Sequence, residues 1–260
     1  MSRIENAFKN KKAFIPFITC GDPDIATTQE VVKEAIKNGA DLIELGIPFS
    51  DPTAEGPVIQ EASLRALNGG MTTDKAFSLA ESIRKTTDVP LVFMTYANVV
   101  FSYGGDKFMS RCKEVGVDGI ILPDLPFEEK EEFLSVCKKY DIALISLIAP
   151  TSQDRIEMIA KEAEGFIYLV SSLGVTGERS KITTDIDQIV KAIKNVTNVP
   201  CAVGFGISNP EQAGRMAAMA DGVIVGSAIV KKIAQYGKDS AKEVGNFVSQ
   251  LSTAVHNANR

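Results

Sequence analysis

Short apolar runs alternate with longer amphipathic segments along most of this chain. Eight runs have the length and β-branched content of strands, and each precedes a segment in which apolar residues recur at helical spacing. They span residues 13–19, 41–46, 91–95, 118–122, 142–147, 165–170, 199–204 and 221–225. Because the runs are apolar nearly throughout, they are typical of parallel strands that are covered by helices.

A weak internal repeat marks the joins between predicted helices and strands. Residues 38–43 (NGADLI) resemble residues 115–120 (VGVDGI), and residues 219–224 (MADGVI) echo both. A second kind of join, DVPLV at 88–92, matches NVPCA at 198–202. In the first kind a glycine can end the helix in the left-handed conformation, and in the second a proline prevents the helix from continuing. The repeats therefore support a regular succession of βα units.

Eight βα units without a linker favour a closed (β/α)8 barrel, with an open doubly wound sheet as the alternative. The chain has 260 residues, and barrels of about 250 residues are routinely one domain. We therefore expect a single domain over residues 1–260. The longest interval between strand starts, from 41 to 91, leaves room for an extra helix around residues 54–67 after the second strand.

The composition narrows the function classes. Lys and Arg number 28 against 33 Asp and Glu, a net charge of −5, and the basic residues are scattered. A nucleic-acid-binding surface is therefore not expected. No apolar run is long enough to span a bilayer and no signal peptide is recognisable, so we expect a cytoplasmic protein that does not bind membranes.

Two residue types limit the chemistry further. The four cysteines are Cys20, Cys112, Cys137 and Cys201. Their wide spacing does not fit a zinc site, and buried or half-buried free thiols are expected. His256, the single histidine, lies among the last residues, which disfavours a Ser-His-Asp arrangement and a His-ligated metal. No metal or cofactor is predicted in this chain, and catalysis must come from carboxylates, Tyr, Lys or backbone groups.

Glu44 is the first candidate for such chemistry. In a (β/α)8 barrel the active site lies at the carboxyl ends of the strands. Glu44 lies within the apolar second predicted strand, where burial raises the pKa of a carboxylate and makes it a candidate general acid or base. The alternative is a glutamate paired with a buried Lys or Arg, but no predicted strand carries an obvious inward basic residue. We therefore favour a catalytic role.

The loop after this strand, residues 48–57, carries two more carboxylates, Asp51 and Glu55. Its three prolines restrict the backbone and can hold a side chain in place. Asp51 could instead be a turn residue, and Glu55 a solvated residue in the first turn of the extra helix. From the chemistry of these residues alone, the structural roles and a catalytic role are equally well supported.

Glycine-containing loops follow the last three predicted strands, at residues 171–180, 204–208 and 226–230. Glycines let backbone N–H groups approach an anion, and a helix N-terminus adds a favourable dipole. Barrels often bind phosphate after strands seven and eight. Simple tight turns are the alternative, but three such loops favour a phosphate site. The polar loop at 171–180 also suits a mobile lid.

A resemblance to a known family rests on several motifs. The segment 42–60, LIELGIPFSDPTAEGPVIQ, closely resembles the signature of tryptophan synthase α subunits. Further matching motifs are PFIT (16–19), GDP (21–23), MTYAN (94–98), DLP (124–126), GVTG (174–177), GFGIS (204–208) and GSAIV (226–230). Together these motifs are specific, and they cover nearly the whole chain.

The resemblance implies a (β/α)8 barrel that cleaves indole-3-glycerol phosphate to indole and glyceraldehyde 3-phosphate, late in tryptophan biosynthesis. It also implies a partner β subunit in an α2β2 complex, which uses pyridoxal phosphate to join indole to serine. By similarity, Glu44 and Glu55 are the catalytic carboxylates. The implied substrate-binding residues are Phe17, Tyr96 and Ile121 around the indole, the active-site Tyr168, and Gly177, Gly206, Gly226 and Ser227 around the phosphate.

One position departs from the family pattern, which has Asp where this chain has Glu55. Because a misplacement of about 1 Å can cost on the order of a hundredfold in rate, Glu55 either acts from a shifted loop or makes the chain a slow lyase. A free-standing lyase without a partner, and a weakly catalytic subunit that mainly activates the β subunit, are the alternative functions.

The resemblance places the β-subunit contact on the loops after strands two and three, residues 48–57 and 98–104. Four apolar or aromatic residues fall in the second loop: Val99, Val100, Phe101 and Tyr103. An exposed group of this kind favours a protein contact. The alternative is that these side chains fold back onto the rim of the barrel.

Overall fold

The computed structural model describes residues 2–170, 186–204 and 206–258. Within these residues, nine parallel strand segments form one sheet. They are β1 Ala13–Thr19, β2 Ile43–Gly46, β3 Leu91–Met94, β4 Gly119–Ile121, β5 Ala143–Leu144, β6 Ser146–Ile148, β7 Ile167–Val170, β8 Cys201–Gly204 and β9 Gly222–Val225. All eight predicted strands are present with ends within two residues of the prediction, and the fifth is divided into β5 and β6.

The sheet closes on itself. Its strand order is β5-β4-β3-β2-β1-β9-β8-β7-β6. The two outer segments, β5 and β6, are separated in the chain only by Ile145, whose backbone N–H donates to the carbonyl of Ile120 at 2.9 Å. Because β5 pairs with β4 and β6 with β7, these segments act as one strand that joins both halves of the barrel. The (β/α)8 barrel is confirmed, and the open sheet is excluded.

Helices surround the barrel. They are α1 Arg3–Ala7, α2 Ile25–Lys37, α3 Pro57–Asn68, α4 Thr73–Arg84, α5 Ala97–Tyr103, α6 Gly105–Val115, α7 Glu131–Lys139, α8 Gln153–Lys161, α9 Ile186–Lys194, α10 Pro210–Met219, α11 Ser227–Tyr236 and α12 Ser240–His256. The predicted extra helix after β2 is α3. It begins at Pro57 rather than at residue 54, because proline suits the first helical position and lacks the N–H that the helix interior needs.

Alternation along the strands divides the core into two layers. On β1, Ile15 and Phe17 belong to the cluster inside the barrel, whereas Phe14 and Ile18 pack with the surrounding helices. Glu44 on β2 is paired in register with Phe17. Since register partners in adjacent strands share a face, Glu44 points into the barrel and not toward the helices.

Helix α1 closes the amino-terminal end of the barrel. Ile4 on this helix and Phe8 just after it belong to the interior cluster, and the ring of Phe8 lies 5.7 Å from that of Phe166. A side chain at Gly222 would place its Cβ 2.9 Å from the Phe8 ring, so the strand needs glycine there. The barrel is therefore open for a ligand at its carboxyl end.

The repeated aspartate before three of the strands has a structural role. Each one accepts a hydrogen bond from a backbone N–H of the preceding strand and donates its own N–H to the carbonyl of the same residue. The pairs are Asp41 with Phe14 at 2.8 Å, Asp118 with Leu91 at 2.9 Å and Asp221 with Cys201 at 2.8 Å, measured to the carboxylate oxygen. We refer to Asp41, Asp118 and Asp221 as the clamp aspartates, because each holds two neighbouring strands together.

Helix α5 replaces the predicted exposed loop at 98–104. Val100 is buried, and Tyr103 packs against the aromatic rings beneath it. Phe101 is 77% exposed and Val99 is half-buried. The prediction of an exposed group is therefore wrong for Val100 and Tyr103, because a helix turns part of its residues back toward the barrel.

Other expectations concern cysteines, metals and membranes. The four cysteines are buried free thiols, as predicted. Among the described residues, no group of three or more His, Cys, Asp or Glu could hold a metal ion. None of the described helices is long and apolar enough to cross a membrane.

Candidate active site

A cleft opens at the carboxyl end of the barrel, where barrels carry their active sites. It encloses about 470 Å³, part of which is open to solvent. Its described walls are Phe17, Glu44, Glu55, Ile59, Met94, Tyr168, Gly206, Ile207, Ile224, Gly226 and Ser227. The cleft thus combines two carboxyl groups, an apolar middle and a glycine-containing end.

Glu44 is buried in the wall of this cleft, with 1% of its surface exposed. Neither carboxylate oxygen has a hydrogen-bond partner among the described residues. Burial without a compensating partner disfavours the ionised form and raises the pKa of Glu44 to about 8. The alternative of a buried basic partner for Glu44 therefore finds no support in the described residues. A carboxyl group that keeps its proton at neutral pH can act as a proton donor.

Glu55 lies in the loop between β2 and α3 and is 7% exposed, so it is not a solvated residue of the helix. Burial raises the pKa of Glu55 to about 7, and the nearby Tyr96 hydroxyl opposes this rise. Its atom Oε2 is buried and has no described partner. Asp51, the other carboxylate of the loop, is exposed and accepts a hydrogen bond from the Ser50 hydroxyl.

Two side chains hold the part of the loop that carries Glu55. Gln60 on α3 donates from Nε2 to the backbone carbonyl of Glu55 at 2.7 Å. The hydroxyl of Tyr96, just after β3, accepts the backbone N–H of Ala54 at 3.2 Å. The ring of Tyr96 packs on Phe49 with centroids 5.1 Å apart. The backbone that carries the acidic side chain is thus held at Ala54 and at Glu55.

The glycine-containing end of the cleft follows β8 and β9. Gly206 has φ of +80°, in the left-handed region that glycine adopts without strain. Gly226 is the N-cap of the ten-residue helix α11, and no side chain caps this end. The first N–H groups of a helix have no intrahelical acceptor, and the helix dipole favours an anion there. With the hydroxyl of Ser227 beside them, these groups can bind a phosphate.

Glycines at two strand ends let aromatic rings lie across the cleft. A Cβ at Gly46 would lie 2.4 Å from the Phe17 ring, and a Cβ at Gly204 would lie 2.6 Å from the Tyr168 hydroxyl. Larger residues at either glycine would displace these rings. Burial, together with the nearby carboxyl group of Glu44, raises the pKa of the Tyr168 phenol.

The structure brings most of the predicted site residues together. Those that line the cleft are Phe17, Glu44, Glu55, Tyr168, Gly206, Gly226 and Ser227. Tyr96 is not in the cleft wall but contacts Ala54 next to Glu55, and Ile121 is buried inside the barrel without lining the cleft. Gly177, Phe205 and the predicted lid at 171–180 lie outside the described residues.

Sequence reasoning missed four apolar residues of the cleft wall: Ile59, Met94, Ile207 and Ile224. For Met94 and Ile224 a signal was available, because alternation along β3 and β9 places both on the inner face near a carboxyl end. Ile59 and Ile207 lie outside the strands, and their approach to the cleft depends on how the loops fold.

Comparison with known sequences gives consistent matches over nearly the full length. Residues 4–259 match the family model described as tryptophan synthase alpha chain. The tryptophan synthase alpha chain of Lacticaseibacillus casei is 51% identical over 255 residues, which cover 98% of this chain and 96% of that relative. The alpha chain of Thermoanaerobacter sp. (strain X514) is 48% identical over 262 residues, with coverages of 98% and 100%.

Solved structures match equally well. Tryptophan synthase subunit alpha from Legionella pneumophila str. Paris superposes with a TM-score of 0.90 at 37% identity, over 99% of each chain. A chain of the tryptophan synthase a2b2 complex from Pyrococcus furiosus gives a TM-score of 0.83 at 36% identity, over 93% of this chain and 98% of that one. Sequence, fold and site agree: the chain belongs to the tryptophan synthase alpha chain family.

Proposed function

We propose that this chain is a single-domain cytoplasmic lyase that cleaves indole-3-glycerol phosphate, with Glu44 and Glu55 as its catalytic carboxylates. The observation that carries the proposal is the meeting of two buried carboxyl groups and an uncapped helix N-terminus in one apolar cleft. The apolar walls suit an indole ring, and the helix end suits a phosphate. The carboxyl groups supply proton transfer and negative charge, so the reaction draws on no cofactor from this chain.

Glu44 supplies the proton that starts the cleavage. The indole ring must be protonated at the carbon that bears the glycerol chain before that bond can break. With a pKa of about 8, Glu44 holds a proton at neutral pH. The resulting carboxylate then accepts the proton of the adjacent hydroxyl. The hydroxyl carbon becomes the aldehyde, and the electrons of the broken carbon–carbon bond return to the indole ring, so Glu44 ends as it began.

Glu55 stabilises the cation that forms in between. Protonation of the ring carbon leaves positive charge at the ring N1–H. The carboxylate of Glu55, which lines the cleft, accepts a hydrogen bond from this group. A fixed negative charge in a site that excludes water stabilises such a cation more than it stabilises the neutral substrate, and this difference lowers the barrier.

The substrate is held at its other end by phosphate contacts. Backbone N–H groups at Gly206, Gly226 and Ser227 bind the phosphate, and the rings of Phe17 and Tyr168 bound the indole. Anchoring the phosphate keeps the ring carbon near Glu44. The contribution of Gly177, and closure of a lid over residues 174–177, are carried over from the family resemblance as part of this proposal.

Replacement of Glu44 by Gln tests the proposal. Turnover of indole-3-glycerol phosphate should fall by roughly 10²- to 10⁴-fold, because the amide cannot transfer the proton. Binding of an analogue that lacks the hydroxyl next to the ring should stay intact, as measured by calorimetry. The control is Glu61→Gln, which alters an exposed glutamate on α3 and should leave turnover unchanged. Near-normal turnover of Glu44→Gln would refute the assignment.

The proposal includes a β subunit as partner, in an α2β2 complex in which pyridoxal phosphate belongs to the β subunit. The Pyrococcus furiosus relative is described as part of an a2b2 complex. In this chain the loop at 48–57 and helix α5 both follow the carboxyl ends of strands, on the face where the cleft opens. A partner on this face could receive indole without losing it to solvent.

Phe101 on α5 tests this contact, because it is a large apolar side chain with 77% exposure. Phe101→Asp should weaken binding to the β subunit by roughly tenfold or more, measured by sedimentation, while cleavage by the chain alone stays unchanged. Met158→Asp alters a less exposed apolar residue on α8 and serves as the control. Equal affinities for the two variants would exclude α5 from the interface.

The placement of Glu55 supports an active lyase over a weakly catalytic activator of the β subunit. Glu55 lines the cleft, and Gln60 and Tyr96 hold the backbone of the loop that carries it. The longer side chain therefore has a fixed loop from which to act. Cleavage rates measured with and without the β subunit, for the natural chain and for Glu55→Asp, distinguish the two functions and also identify a free-standing lyase.

A further inference from the structure

We propose that the ion pair between Asp22 and Arg65 positions helix α3 for catalysis, and with it Glu55 and Ile59 in the wall of the cleft. Both members of the pair are positioning residues, because neither lines the cleft. The inference rests on the proposed function of Glu55.

The pair is bidentate and lies at the carboxyl end of the barrel. The side chain of Asp22, three residues after β1, is fully buried. Arg65 on α3 donates from Nε to one oxygen of this carboxylate and from Nη2 to the other, both at 2.8 Å. A two-pronged contact of this kind fixes the orientation of its partners as well as their distance. It therefore holds α3 against the loop that follows β1.

The same loop also holds the chain just after α3. A Cβ at Gly21 would lie 2.8 Å from the sulfur of Met71, so this side chain packs directly on the backbone next to Asp22. Arg65 lies in the last turn of α3. The last turn and the residues after it are thus fastened to the end of β1.

The residues that face the substrate belong to the other end of the helix. Glu55 precedes α3 by two residues, and Ile59 lies in its first turn. The other described side-chain hydrogen bond of α3, from Gln60 to the carbonyl of Glu55, stays within this segment. Helix α3 also packs against β1 and α11, but apolar packing is non-directional. The ion pair therefore supplies a directional restraint on the tilt of the helix.

A small tilt would matter for the reaction. Pro57, the first residue of α3, lies about 12 Å from Arg65 along the helix axis. A rotation of about 5° around the Arg65 end would move Pro57 and the neighbouring Glu55 by about 1 Å, and a misplacement of that size can cost on the order of a hundredfold in rate. A contact outside the cleft can thus control the geometry inside it.

Loss of the restraint should also change the protonation of Glu55. Burial raises the pKa of Glu55 to about 7, so water that enters beside a loosened α3 should lower this pKa. The other titratable groups around Glu55 are Glu44 and Tyr168 in the cleft and Tyr96 beside the loop. These three lie on β2, on β7 and just after β3, and they do not move with α3. We therefore expect a change on the acid side of the pH profile only.

Arg65→Lys tests the inference, because lysine keeps the positive charge and loses the fork. We expect kcat for cleavage to fall by roughly tenfold to a hundredfold and the acid limb of the kcat/KM profile to move to lower pH. The affinity for inorganic phosphate, measured by calorimetry, should stay unchanged, since the proposed phosphate-binding groups lie outside α3. The matched control is Arg155→Lys, which alters another two-pronged pair, 2.6 and 3.1 Å to Glu128. Neither residue of that pair lines the cleft, and the control should leave kcat and the profile unchanged.

A double-mutant cycle with Asp22→Asn separates positioning from general stability. Both substitutions break the same contact, so the double variant should lose no more kcat than the more affected single variant. Additive losses would overturn the inference. A lowered melting temperature with unchanged kcat, or a lowered kcat with an unmoved acid limb, would also overturn it. If Arg65→Lys does not fold, Asp22→Asn alone carries the same expectations, because the Arg65 side chain is 35% exposed and water can solvate it.

The outcome for the ion pair can be told apart from the outcome for the proposed function. Absence of cleavage by the natural chain, or cleavage that survives Glu44→Gln, would refute the proposed function. Normal cleavage by the natural chain, lost in Glu44→Gln, together with unaltered kcat and pH profile in Arg65→Lys, would refute only the positioning role.

Discussion

The two glutamates of the cleft are chemically distinct because their surroundings differ. Glu44 has no described hydrogen-bond partner, and burial raises its pKa to about 8. Glu55 is also buried, but the nearby Tyr96 hydroxyl limits the rise of its pKa to about 7. Between these values Glu44 keeps its proton while Glu55 is ionised. Two residues of one type can therefore act as a proton donor and as a fixed anion.

The pH dependence of cleavage should follow from these two groups. We expect kcat/KM to follow a bell-shaped curve with a maximum between about pH 7 and 8. Activity falls on the acid side as Glu55 takes up a proton, and on the basic side as Glu44 loses its own. Steady-state rates at substrate concentrations well below KM, across a buffer series, measure the profile. Glu55→Gln should lack the acid limb, and a flat profile for the natural chain would contradict the assignment.

At the scale of elements, the clamp aspartates keep neighbouring strands in register. Asp118 accepts hydrogen bonds from the N–H of Leu91 at 2.9 Å, from Arg84 at 2.9 Å and from Arg3 at 3.0 Å. The contacts lie at the amino ends of β3 and β4. Because a strand is stiff along its length, the contacts of Asp118 also fix how far the carboxyl ends of β3 and β4 extend toward the cleft.

Removal of a clamp should destabilise the barrel. Asp118→Ala leaves the Leu91 N–H without its acceptor and leaves the guanidinium of Arg84, whose side chain is 13% exposed, without its carboxylate partner. We expect a loss of about 2–4 kcal/mol in the free energy of unfolding, measured by urea denaturation. Asp88→Ala is the control, because Asp88 is 98% exposed and makes only a 3.9 Å contact with Arg3. Similar midpoints for the two variants would exclude the clamp role.

In the molecule as a whole, one end of the barrel is closed, and the other end is open and carries the cleft. Helix α1 fills the amino end, and His256 of the last helix contacts the clamp residue Asp41 at 2.7 Å. Burial alone would raise the pKa of Asp41, but hydrogen bonds from His256, Lys11 and the Phe14 N–H outweigh it and lower the pKa. Lys11, which precedes β1, and His256 in the last helix thus both contact Asp41 at the closed end of the barrel. The cleft and the exposed Phe101 lie at the opposite end.

Most of the fold could be predicted because its signals are local. The strands and α3 were recognised from apolar periodicity and from the glycines and prolines at their ends. Helix α5 cannot be recognised in this way, because a helix of seven residues is too short to show a clear period. It also follows directly after a strand, where the barrel pattern predicts a loop. The clamp aspartates were visible as a repeat, but their function depends on a partner strand that lies 20 to 27 residues earlier in the chain.

The barrel, the family motifs and the choice of Glu44 follow from the sequence alone, because strand periodicity and a charge within an apolar strand can be recognised without knowing any distance. The burial of Glu55 in the cleft, the contact of Tyr96 with the loop beside it, and the inward turn of Val100 and Tyr103 are visible in the folded structure alone. These facts depend on contacts between loops that follow different strands. Such contacts come into existence when the sheet closes and brings its carboxyl ends together.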